Sequence, residues 1–236
     1  MDLWSTTGEA FRLLFTGDPV LWDIVGVSLK VSLAALILVG PLAIAGGFVL
    51  AHAAFPGRRA LVIVVQALQS FPTVVVGLLL YLMLSRQGPL GALQLLFTQE
   101  AMILGQMLIA FPVLAGYTLT AVQGADPRAH ETAVILGAGR LRAALTTLWE
   151  VRFGVMAALF TGFGRVISEI GCALMVGGNI AGLTRNIPTA IALETSKGEF
   201  AQGVALGIVL MALALGVNIA LAAVQGQGGM RRAWQA

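Results

Sequence analysis

The chain has 236 residues, 58% of them hydrophobic and only 11% charged, with a formal net charge of +3; a soluble domain carries about 25% charged residues. A water-soluble globular domain is therefore excluded, and lipid is the expected solvent. Cys172 is the only cysteine, which excludes an internal disulfide, and its apolar setting predicts a small buried residue.

Residues 1–23 carry Asp2 and Glu9 ahead of Arg12 and have no early apolar run, so no cleaved secretory signal is expected. Leu3, Trp4, Phe11, Leu14 and Phe15 suit an interfacial amphipathic segment there, with a plain ordered tail as the alternative. Residues 24–236 are predicted to form one transmembrane domain. Five apolar runs, at 24–54, 60–84, 101–122, 153–176 and 201–224, meet the need for about 20 residues per span. They lack the period-two alternation of a membrane barrel, so the fold class is an all-α membrane protein. Pro41, Pro72 and Pro112, each followed within a few residues by glycine, predict kinks and close helix approaches.

The connection between the third and fourth runs is far longer than a turn between antiparallel helices needs. Asp126 can cap a helix that begins with Pro127, because the missing proline N–H would have no intrahelical partner there. Gly137 and Gly139 then interrupt the helix, so residues 126–148 predict two short helices with a bend between them, lying along the membrane surface. In the fourth run Arg165 and Glu169 stand four apart, on one helix face, where pairing lowers the cost of burying each charge. The pair either orients that span as a static bridge or helps to switch contacts along a translocation path.

Basic residues collect in two of the connections and at the C-terminus, including Arg58, Arg59, Arg128, Arg140, Arg142, Arg152, Arg231 and Arg232. The positive-inside bias places these in the cytoplasm and the N-terminus outside, and it accounts for the basic excess without a nucleic-acid partner.

The 126–148 loop resembles the signature loop of the membrane subunits of type I ATP-binding cassette importers, in which a Glu-Ala-Ala, three residues, Gly pattern forms coupling helices that seat in the ATPase subunit. Glu131, Thr132, Ala133 and Gly137 match its first half with one substitution; Thr147, Trp149 and Glu150 depart from its second half, where Ile, Leu and Pro are usual. Ser70-Phe71-Pro72-Thr73, continuing to Gly77, is similar to the second-span region of molybdate and tungstate permeases. The stretch from Arg165 through Glu169 to Asn179 and on to Lys197 resembles the tungstate-type branch. The resemblance implies a type I importer transmembrane domain in the cell (inner) membrane. It implies a homodimer, two cytoplasmic ATP-binding subunits and an extracytoplasmic oxyanion-binding protein. It further implies ATPase docking through Arg128, Glu131, Thr132, Ala133, Gly137 and Arg140, and a pore lined by Ser70, Phe71, Pro72, Thr73 and Gly77. Asn179, Arg185 and Lys197, in the long outer connection, are candidate contacts for the binding protein, a salt bridge to Glu194 or Glu199 being the alternative role for the two basic residues.

No enzyme is expected. A phosphate-cradling loop needs a Gly-Lys step, and neither lysine, Lys30 nor Lys197, follows a glycine. His52 and His130 lack companions at metal-ligand spacing, so no metal or cofactor is expected either. The leading reading is tungstate import driven by a partner ATPase. Molybdate or another tetrahedral oxyanion is the rival cargo, and an ATP-independent channel or secondary transporter, or an export permease, is the rival mechanism.

Overall fold

The computed structural model describes residues 3–233, and within them the side chains of residues 3–5, 127, 129, 130, 140 and 224–233 lie outside the description. In chain order the helices are α1 (Leu3–Phe15), α2 (Pro19–His52), α3 (Arg58–Gln69), α4 (Thr73–Leu84), a 3₁₀ turn (Gly91–Leu93), α5 (Gln99–Gln123), α6 (Pro127–Ile135), α7 (Arg140–Glu150), α8 (Arg152–Ile167), α9 (Gly171–Gly177), α10 (Ile187–Lys197) and α11 (Phe200–Ala233). The described chain is otherwise turn and loop, so the fold is all-helical.

By length and composition α2, α5 and the Phe200–Ala223 part of α11 can each cross a membrane; the chain is an integral membrane protein. Two expected spans are broken. The run at 60–84 is α3 and α4, separated at residues 70–72, because Pro72 lacks the N–H that a continuous helix would use and biases Phe71 away from helical geometry. The run at 153–176 is α8 and α9, separated at residues 168–170, where the Glu169 carboxylate takes the Cys172 N–H (3.2 Å). Pro41 and Pro112, by contrast, lie inside unbroken helices. Residues 19–23 belong to α2 rather than to the N-terminal segment.

The chain divides into two compact units. In the first (Met1–Ile37, Phe71–Ala110 and Phe163–Val217), Ala10, Leu21, Ile24, Val25, Ile187, Ala190, Ala205 and Leu206 form a core joining α1, the start of α2, α10 and α11. Helices α4 and α9 pack together through Gly77, where an added Cβ would stand 2.7 Å from the Cys172 Cα. Asn186 and Thr189 close a capping box at the start of α10, and Ser28 Oγ accepts the Ile187 N–H (2.7 Å), fixing α10 to α2.

In the second unit (Leu38–Ser70, Phe111–Gly162 and Asn218–Ala236), Gly47 lets the α2 backbone approach α5, an added Cβ there standing 2.9 Å from the Thr118 Cβ. Arg58 closes the end of α2 by donating to the carbonyls of Leu50 (2.6 Å) and Ala51 (3.2 Å), so its positive charge meets the negative end of that helix.

Candidate functional site

Helices α6 and α7 pack against each other as a hairpin. The Asp126 carboxylate accepts the Arg128 N–H (2.9 Å) with Pro127 in the first turn, so the chain leaves α5 and re-enters helix within three residues. At the far end Gly137 takes φ +84°, and the following Ala138 N–H donates back to Ala133 O (2.9 Å), which closes α6 and turns the chain toward α7. Arg128, Glu131 and Thr132 are exposed and Ala133 is half-buried; the Arg140 side chain lies outside the described residues.

The most exposed apolar side chains of the hairpin are Ile135 (83%) and Leu136 (81%), at its tip, and Leu141, Leu145 and Trp149 along one face of α7. Ala143 and Thr147 on the opposite face are buried. The tip and stripe were not among the docking residues read from the sequence, although the 141, 145, 149 spacing is a helical stripe that could have marked them. Thr147 and Trp149, where the loop departs from the family pattern, thus occupy opposite sides of α7. At the base, Arg152 donates to Trp149 O (2.7 Å) and its guanidinium sits over the rings of Trp149 (5.2 Å) and Phe153 (4.5 Å). There α7 and α8 meet at a 73° bend. A cavity of about 620 Å³ opens beside this base, lined by Asp126, Glu150, Phe153 and Gly154 among others.

Of the pore residues read from the sequence, Ser70 closes α3 and Phe71 and Pro72 are exposed in the break, with Thr73 half-buried at the start of α4. Gly77 is buried against α9, a packing position. Arg165 and Glu169 are paired, Nη1 to Oε2 at 2.9 Å.

The connection from Asn179 to Lys197 is internally tied rather than open. Asn179, at φ +53°, donates from Nδ2 to Thr189 O (3.3 Å), and Arg185 donates to Asn179 O (3.5 Å). Thr184 Oγ1 accepts from Ile180 N (3.0 Å) and donates to Gly177 O. Lys197 is half-exposed and pairs with the buried Glu194 (3.1 Å). Asn179 and Arg185 therefore shape the loop, leaving Lys197 as the most open of the three side chains expected to meet a binding protein. Among the described residues, no group of His, Cys, Asp and Glu is placed to hold a metal ion.

No family model matches the chain. The Probable anion ABC transporter permease protein of Haloferax volcanii is 43% identical over 83% of this chain and 87% of its own. The tungstate uptake system permease protein TupB of Campylobacter jejuni is 37% identical over 89% and 88%, and the molybdenum transport system permease protein ModB of Escherichia coli 32% over 82% and 89%. Among solved structures, a bacterial ABC transporter that imports alginate superposes with a TM-score of 0.69 at 20% identity, covering 90% of this chain and 82% of that one. The MetNI methionine ABC transporter follows at 0.63 and 13%, covering 87% and 94%. The chain belongs to the ABC transporter permease family. Its relatives are transport subunits rather than enzymes, and its fold is that of importer transmembrane domains.

Proposed function

We propose that this chain is the permease subunit of an ABC importer that brings tungstate into the cell. The observation that carries the reading is its identity, 37% and 35%, to two TupB tungstate permeases over 89% and 92% of its length. In this reading the broken pairs each contribute to one crossing, giving five, with the N-terminus outside and the α6–α7 hairpin and C-terminus inside the cell (inner) membrane. Residues 24–236 form the permease domain, and the chain works as a homodimer with two ATP-binding subunits and an extracytoplasmic oxyanion-binding protein. Arg128, Glu131, Thr132, Ala133, Gly137 and Arg140 belong to the ATPase-docking surface. The exposed Ile135 and Leu136 support this assignment, since an apolar tip held out from the hairpin is suited to burial against a partner.

The chain supplies no hydrolysis, so ATP acts through differential contacts of the hairpin in two conformations. Ser70, Phe71, Pro72 and Thr73 then lie where a broken helix can move during alternating access. Affinity purification in mild detergent tests the assembly: an ATPase subunit is expected to co-purify in equal amount, and purification without one contradicts it. Molybdate is the second cargo, favoured by the likeness to ModB; calorimetry on the partner binding protein separates the two, and tighter molybdate binding would exclude tungstate.

A further inference from the structure

Resting on the importer reading, we infer that Arg165 contacts the oxyanion in transit and that Glu169 is its positioning residue. The pair is asymmetric in a way that a bridge serving only to neutralise two charges does not require. The Glu169 side chain is 3% exposed, and both its oxygens are spent: Oε2 on Arg165 Nη1 (2.9 Å) and Oε1 on the Cys172 N–H (3.2 Å). The Arg165 side chain is 37% exposed, and its remaining N–H groups have no other acceptor among the described residues. A carboxylate fixed at both oxygens thus aims a guanidinium outward. Beside it Gly164 leaves open space, since an added Cβ would meet nothing within 4 Å.

Depth decides what the open side faces. In the five-crossing reading Arg152, stacked on Trp149 and Phe153, stands at the cytoplasmic end of the span that α8 begins. Arg165 comes thirteen residues later along α8, a rise of about 20 Å, which is inside a hydrocarbon core about 30 Å thick. A guanidinium open to acyl chains at that depth is costly, so the open side belongs to a polar path. Its planar fork of donors matches two oxygens of a tetrahedral dianion. Glu169 offsets the charge, so the anion is held weakly enough to leave again, as conduction requires.

The test uses the complete importer, this chain with its ATPase and its binding protein, in liposomes containing ATP, with labelled tungstate outside. Arg165→Gln is expected to lower uptake by about tenfold or more, the worth of a lost charge-assisted hydrogen bond, while binding-protein-stimulated ATP hydrolysis stays at the wild-type level. Arg165→Lys, which keeps the charge but loses the fork, is expected to fall between. The exchange Arg165→Glu with Glu169→Arg is expected not to restore uptake, because it turns a carboxylate toward the path. Wild-type uptake in Arg165→Gln or in the exchanged protein overturns the inference, as does loss of stimulated hydrolysis in step with uptake, which would make the pair structural. No tungstate uptake by the wild-type importer would instead sink the importer reading.

Discussion

Replacing Gly137 with valine is expected to abolish ATP-driven uptake while leaving the chain inserted in the membrane. Gly137 takes φ +84° and ends α6, and an added Cβ would meet no atom within 4 Å. The cost is therefore in the backbone rather than in packing: a β-branched residue held in the left-handed region costs on the order of 1–3 kcal/mol. At about 2 kcal/mol the native turn loses a factor of about 30 in population relative to a relaxed one, and relaxing it redirects α7 and the Ile135–Leu136 tip. Asparagine tolerates positive φ, so Gly137→Asn is expected to keep most of the activity. Uptake and ATPase co-purification measured on both variants check this; equal loss in both would mean that the glycine is needed for something other than its conformation.

Gly77→Leu is expected to give a protein that unfolds at a clearly lower temperature in detergent or fails to stay monodisperse. Its Cβ would stand 2.7 Å from the Cys172 Cα and 3.1 Å from the Met175 Cβ. The first of these is backbone, which cannot rotate away. Overpacking of this kind costs about 1–3 kcal/mol, and more where backbone must move, and here it forces α4 from α9. Gly207→Ala in α11, where an added Cβ meets nothing within 4 Å, is expected to leave the melting temperature unchanged or slightly raised. A Gly77→Leu protein with wild-type stability would contradict the packing described between α4 and α9.

The long helices were legible because the apolar runs leave the backbone one way to satisfy itself in lipid. Hydropathy counts residues and not direction, so it could not tell Pro72, which breaks its helix, from Pro41 and Pro112, which do not. A clue was present in the flanking Gln66, Gln69 and Ser70, which make the stretch before Pro72 more polar than an ordinary span. The second break was hidden differently: Arg165 and Glu169 read as an i, i+4 pair on one continuous helix, yet Glu169 also accepts an N–H of the next helix. Asp126-Pro127 was fully readable, since a cap and its first-turn proline are local chemistry. Asn179 was not; its amide nitrogen donates to Thr189 O ten residues away, a contact that only the folded loop creates.

If this chain is an importer permease, its transport is driven by a partner ATPase. Tungstate flux should be compared in liposomes holding the purified chain alone and in liposomes holding it with its ATPase and binding protein, each with and without internal ATP. Uptake confined to the complete assembly with ATP is the predicted result; flux through the chain alone, without ATP, would contradict it.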